Sequence, residues 1–466
     1  MTFKSRRGGA SCRRALRVLA ISSFVCLCAA VVWAGESPLV DAAKNADKDA
    51  LRTLISKKVD VNASEPDGTT ALHWAAYRDD MDSVELLIRA GAKVNAATDL
   101  GVTPLYTAAE NGSSAMVARL LTAGANPNLA LLAGETPLMV AARSGKAAVV
   151  DQLIAKGANV NAHGTRGQTA LMWAVAQEHP DVVKTLLLRG ADIHAKSGVY
   201  QEMMAVPPHG YLPNNRLIPH GGDTALMFAA RVGDVASAKL LVEAGANVND
   251  ADAWGVSATA LAAHSDFVEL VEFLLDKGAN PNAPADFTAL HEAIMWRDER
   301  MVTALLKHGA DPNIPVKNWT PTRRSSKDRN FGPELVGASP FWMAARFAEP
   351  NVMRLLLQHG ADPNFVHRAD FVSGEGYKPR KEATNAVMAA AGLGTGKPWV
   401  EVPKAKMEPL ALEAVKVAVD AGADVNLAGL DGRTALDAAT NSKYATIAAF
   451  LTDHGAKPGT ATAATK

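Results

Sequence analysis

Cysteine is almost missing from this chain. Its 466 residues include three, and all of them, Cys12, Cys26 and Cys28, lie close to the N-terminus. Everything after Cys28 therefore has no disulfide, no thiolate nucleophile and no cysteine metal ligand. Excess charge is also missing, since 48 basic side chains face 48 acidic ones, which argues against a nucleic-acid binder driven by bulk charge. Aromatics are 6%, and no apolar run beyond residue 34 is long enough to span a bilayer. What remains is 48% apolar with 36 glycines and 24 prolines, enough to bury a large core and too apolar for a wholly disordered chain.

The first 34 residues stand apart. Lys4, Arg6, Arg7, Arg13, Arg14 and Arg17 open the chain without an acid, an apolar run follows from Val18 to Ala34, and Val32-Trp33-Ala34 precedes Gly35 as a small-residue cleavage site would. That is the layout of a secretory signal peptide, with an uncleaved anchor as the alternative, and it predicts a mature protein that is periplasmic or secreted. Cleavage would remove six of the 48 basic residues, leaving 42 against 48 acids and a formal charge of −6.

The rest repeats. Gly-Ala pairs begin at Gly91, Gly124, Gly157 and Gly190, at Gly245 and Gly278, and at Gly309, Gly360, Gly422 and Gly455, and the regular intervals are 33 residues. Upstream phrases keep register with them: TALHWAA from Thr70, TPLYTAA from Thr103, TPLMVAA from Thr136, TALMWAV from Thr169, TALMFAA from Thr224, TALHEAI from Thr288, SPFWMAA from Ser339 and TALDAAT from Thr434. Thr or Ser at the phrase start suits a helix N-cap, and Pro104 and Pro137 suit the first helical position. Val84, Leu87 and Ile88 fall on one face of a second helix, and the recurrent glycine suits a left-handed position ending it. One such helix pair cannot bury its apolar face alone, so stacking must supply the core.

These phrases resemble the ankyrin repeat, with its 33-residue period and T-P-L-H-x-A signature, over nearly all of residues 38–458. The resemblance implies an all-α solenoid of stacked helix-turn-helix units with β-turn fingers, about eleven repeats including a polar cap from Pro38 to Asn62 and a last unit from Leu427 to Pro458. It also implies protein binding rather than catalysis, no cofactor, and a partner that is another protein, with the chain itself monomeric. It gives His73 and His291 a structural hydrogen-bonding role, and it assigns Trp74, Trp173 and Phe228 to packing.

Where the period breaks, extra residues enter: 195–222, 314–336, 365–383, and 392–409 between the two helices of one repeat; residues 459–466 form a polar tail. Per-repeat insertions map to loops, often on the binding face. The segment 314–336 carries Trp319 with Lys317, Arg323, Arg324, Lys327 and Arg329, and aromatics beside arginines carry binding energy at interfaces. The candidate partner-binding residues are therefore Trp319, Arg323 and Arg324 in that finger, and Tyr77, Arg78, Trp296, Arg297, Arg346 and Phe347 at the ends of the first helices, beside the groove. The fingers 195–222 and 314–336 are expected to recognise the partner without holding up the fold.

Other motifs are weaker. The run AGLGTGKP from Ala391 fails as a phosphate loop, because Ala391 and Pro398 occupy the places of Gly and Ser/Thr; it reads as a turn leaving a helix. His194, His209 and His220, with His367, could converge on a metal and make a metal-dependent enzyme or binder, although their spacing matches no short ligand motif. A structural envelope protein contacting cell-wall glycan through loop aromatics is the remaining alternative.

Overall fold

The computed structural model describes residues 37–204, 215–283, 286–319, 331–373 and 376–460. The N-terminal signal-like segment, Arg323 and Arg324 lie outside these residues. Twenty-two α-helices are described, and they fall into eleven antiparallel pairs, from Pro38–Lys44 with Lys48–Ser56 to Ala435–Asn441 with Ala445–Asp453. The first helices of successive pairs pack on one another along the whole array, and the second helices form a parallel row behind them. One continuous core of Leu, Val, Met and Ala runs between the rows, and the paired alanines, such as Ala75-Ala76 and Ala229-Ala230, are essentially sealed from solvent. Small side chains there let neighbouring backbones approach.

Each pair begins as the phrases predict. Thr103, Thr136, Thr169 and Ser339 adopt extended backbone and accept a hydrogen bond from the amide three residues on. His73 and His291 extend this cap into the next repeat. In each, Nδ1 accepts the cap residue's N–H, and Nε2–H donates to a carbonyl of the following unit, Val102 O and Ile314 O, both at 2.9 Å.

The Asn that closes the Gly-Ala phrase makes a second inter-repeat link. Asn128 Nδ2 donates to Gly157 O at 2.8 Å, and its Oδ1 accepts from Asn159 N at 2.8 Å. Asn62, Asn95, Asn161, Asn249, Asn282, Asn313 and Asn426 repeat the pattern. Asn313 does so across the whole 314–336 insertion, reaching Gly360 O at 2.9 Å.

Gly124 ends its helix at φ 93°, with Ala125 N–H donating back to Leu120 O at 3.0 Å. A Cβ there meets nothing within 4 Å, so the cost of replacing it is purely conformational. Gly124→Val is expected to cost about 1 kcal/mol or more, read as a lower urea midpoint at unchanged m-value.

Two insertions are not plain loops. Residues Tyr200–Met204 (β1) and Arg216–His220 (β2) pair antiparallel, as do His367–Val372 (β3) and Pro379–Thr384 (β4). The expected boundary of the insertion 392–409 also shifts, because its C-terminal part is helical: the second helix of that repeat starts at Lys404 and runs to Asp420 with Pro409 inside it.

Candidate functional site

The ends of the first helices form one edge of the groove, and their chemistry varies from repeat to repeat. Tyr77 is 59% exposed, its ring edge-on to Trp74 at 5.8 Å, and Arg78 is exposed beside it. Trp74, Trp173 and Phe228 pack against the core but are only half-buried. Trp74 bears Lys44 over its ring at 5.1 Å, and Trp173 bears Arg143 at 5.7 Å. These rings are therefore the floor of the groove as well as packing residues.

Further along, the expected contact residues are mostly occupied by the protein itself. Trp296 Nε1 donates to His264 O at 3.0 Å. Arg297 sits at φ 63° and donates to Phe347 O and Ala348 O, clamping the end of the neighbouring helix Pro340–Arg346. Phe347 is 2% exposed, so it belongs to the core and not to the groove surface; the turn after Arg346 points its ring inward. Trp319 is half-buried at the start of the basic finger.

The finger 314–336 is a structural piece at its base. Val316, Phe331 and Leu335 are at most 1% exposed. Phe331 stacks on Phe287 at 5.1 Å and meets His291 edge-on at 6.4 Å. The expectation that this finger leaves the fold untouched does not hold for these residues. After Phe331, Pro333–Leu335 makes a short 3-10 turn, held from outside by His367, whose Nε2–H donates to Glu334 O at 3.1 Å. His367 is 1% exposed and tilted against Trp342 at 4.2 Å, and burial pushes its pKa below the usual imidazole range. It is a packing residue rather than an available metal ligand. His220 stacks on Tyr200 at 5.5 Å, His194 lies at the other side of the finger base, and His209 is outside the described residues. Among the described residues no three His, Cys, Asp or Glu side chains gather as a metal site would need.

The insertion 392–409 folds back over the groove, which the sequence did not disclose. Gly392 ends the helix Ala386–Ala390 at φ 104°, as the turn reading expected. The chain then crosses to the helix Ala289–Trp296, two repeats back, where Trp399 N donates to Met295 O at 2.9 Å. The Trp399 ring lies edge-on to His264 at 5.1 Å, to Trp296 at 5.6 Å and to Phe331 at 5.6 Å. Beneath it Glu292 is fully buried, accepts from or pairs with His264 Nδ1 at 3.1 Å, and is held above the usual carboxyl range by burial.

Between this strap and the turn Gly332–Leu335 opens a cavity of about 610 Å³, lined by Gly332–Leu335, Arg346 and Gly394–Trp399. That volume is in the range of small-ligand pockets. Arg346, among the described candidate contact residues, lines this cavity, and its Nε is sealed from solvent with no hydrogen-bond acceptor. A second, smaller cavity of about 180 Å³ lies at the base of the 195–222 finger. Its Arg231 is already paired with Asp223 at 2.9 Å, and Asp252, held above the usual range by burial, accepts the amides of Trp254 and Val256.

The finger above that small cavity has an apolar face. Met203 and Leu217 are cross-strand partners, 58% and 57% exposed, and Val199, just before β1, is 61% exposed. Two large apolar side chains side by side in water mark a contact surface more than a solvated loop.

Comparison with known proteins agrees with the repeat reading. Residues 39–130, 119–197, 209–285 and 226–316 match the family model for ankyrin repeats in three copies, and residues 336–368 match that for the single ankyrin repeat. The palmitoyltransferase ZDHHC13 of Mus musculus is 37% identical over 101 residues, and that of Homo sapiens 36% over 101 residues. Each match covers 21% of this chain and 16% of the relative, so the chain spans a small part of those proteins.

Proposed function

Since the chain belongs to the ankyrin-repeat family, we propose that it is a non-catalytic scaffold that binds another protein through its groove and extended fingers, outside the cytoplasm and as a monomer. The observation that carries this is the exposed apolar pair Met203–Leu217, joined across a hairpin inserted into one finger of the array. A rigid stack supplies placement, and the apolar finger supplies desolvation energy at contact. The basic finger 314–336 would add attraction to an acidic surface, and that contribution would weaken with salt. Export is supported by the basic-then-apolar layout of residues 1–34. The transferase activity in the relatives' names is not carried over, because the similarity covers 16% of each.

The test is capture from the producing organism's envelope and external fractions with a crosslinker, comparing the parent with Met203→Asp/Leu217→Asp. The double variant should melt with the parent, since both side chains are already in water, and should lose at least tenfold in captured partner. Equal capture would move recognition away from this finger. A retained Met1 on soluble cytoplasmic protein would remove the export part.

A further inference from the structure

The cavity beside Trp399 joins three segments that sequence places far apart: the 3-10 turn after Phe331, the end of the helix Pro340–Arg346, and the glycine-rich strap. Two cationic side chains, Arg346 and Lys397, line the cavity. Among the described residues no carboxylate forms an ion pair with Arg346; Glu382 attracts it from farther off, and its Nε lacks an acceptor although it is closed off from water. A half-buried guanidinium whose Nε is closed off from water without an acceptor is ordinarily matched by a partner. Lys397 lies on the same wall and is exposed.

The strap is shaped for close approach. Gly394 and Gly396 sit at φ 95° and 98°, where side-chain-bearing residues are strained. A Cβ at Gly396 would come within 2.5 Å of Leu335 Cδ2, and one at Gly394 within 3.2 Å of Trp342 Cζ2. The chain therefore lies flat against the cavity floor with its backbone bare. Thr395 Oγ1 donates to Glu382 Oε2 at 3.3 Å, which leaves that carboxylate near the site but not on Arg346. Glu334, in the facing wall, is held above the usual carboxyl range by burial, with Glu382 adding to the shift. Trp399, Pro398 and Leu335 give the cavity an apolar side.

We propose that this cavity binds the carboxylate of a small ring-bearing organic acid, with Arg346 as its counter-ion, Lys397 as a second cation and Trp399 as the wall for the ring. A carboxylate is chosen over a phosphate because Glu382 would repel a dianion more than a monoanion, and because a planar carboxylate matches the guanidinium fork. A ring is chosen because the cavity volume is larger than a bare carboxylate fills and its far side is aromatic. Such a carboxylate could come from a sugar acid or from the C-terminus of a peptide. The inference does not depend on the protein-partner reading.

The experiment titrates the full chain with glucuronate and with N-acetylphenylalanine, each beside its neutral amide, and with inorganic phosphate, by calorimetry and ligand-observed NMR. One acid should bind, and which one distinguishes the sugar source from the peptide source. Its amide should bind at least tenfold more weakly, Arg346→Gln should lose at least tenfold, and Arg346→Lys should recover part. Removing an unpaired buried charge should leave R346Q folded; should it unfold, Lys397→Gln, an exposed loop change, is expected to weaken binding severalfold instead. The proposal is overturned by an amide that binds as well as its acid, by phosphate binding more tightly than both acids, by undiminished binding in R346Q (or in K397Q where R346Q unfolds), or by no binding of either acid at about 20 mM.

Discussion

Phe331→Ala is expected to lower global stability by about 3–5 kcal/mol, the range for deleting a fully buried phenyl ring. The ring is completely enclosed and touches three aromatic neighbours, Phe287, His291 and Trp399, which belong to three different segments. Its loss would open a void that no one segment can close, because the Trp399 strap and the Phe287 finger are each anchored by their own hydrogen bonds. The comparison variant shortens the finger 195–222 at its tip, where loop closure depends weakly on length. That variant should stay within about 1 kcal/mol of the parent. Urea denaturation of both, followed by circular dichroism, checks the pair. A loss below about 1 kcal/mol in Phe331→Ala would mean that the base of the basic finger is not part of the core.

This contrast shows what the chain reveals by itself and what it does not. A period of 33 residues is a local signal, repeated until it is unmistakable, so the helix pairs, their Thr caps and their glycine ends could be placed without coordinates. A structural hydrogen-bonding role for His73 and His291 is implied by the ankyrin resemblance, but not that each ring uses both nitrogens, one of them across to the next repeat. The Asn links were less legible: Asn stands in most of the phrases, but its partner is a carbonyl one repeat on, and sequence gives composition without pairing. Insertions have no period, and there the reading weakened. The strands β1 to β4 could not be expected from segments rich in Pro, Arg and Lys, and nothing local says that Phe331 turns inward.

The candidate site suffered from the same limit in a sharper form. Trp296, Arg297 and Phe347 were chosen as aromatics and arginines at helix ends, the residue types that carry interfaces. The fold spends them on itself: Trp296 on His264 O, Arg297 on the next helix end, Phe347 on the core. What decides between contact surface and clamp is which neighbour arrives, and here it is Trp399, two repeats away. Arg346 Nε is left without an acceptor because the one polar side chain of the strap that passes it, Thr395, turns to Glu382. The same glycines were read only as a helix exit. Their other purpose becomes visible when Leu335 and Trp342 are seen beneath them.

Replacing Glu349 by Gln should make stability less dependent on pH and should stabilise the protein most in mild alkali. Glu349 is 6% exposed beneath the Arg297 clamp, and burial pushes its carboxyl up to about 8, with Arg297 at 3.7 Å pulling the other way and Glu299 adding to the rise. The sign follows from where each state takes up its proton. Below about pH 4.5 the carboxyl is protonated in both states and costs nothing. Between about 4.5 and 8 the unfolded chain ionises while the folded one keeps its proton, so stability falls as pH rises and levels off above 8. At about 1.4 kcal/mol per unit, the full loss is roughly 4–5 kcal/mol. Gln keeps the shape and the neutral form. It gives up the weak pairing to Arg297, whose bonds to Phe347 O and Ala348 O remain. Glu349→Gln is therefore expected to be near-neutral at pH 4.5 and to gain about 2–4 kcal/mol at pH 9. His291 acts in the opposite sense: burial lowers it to about 4, so stability is lost as pH falls from about 6.5 towards 4. Because the Gln variant leaves His291 in place, its acid limb should match the parent's once the Glu349 slope is subtracted. Urea midpoints from pH 4.5 to 9 decide the matter. Parallel curves for parent and variant would show that Glu349 is ionised in the folded protein throughout, with Arg297 as a full salt-bridge partner.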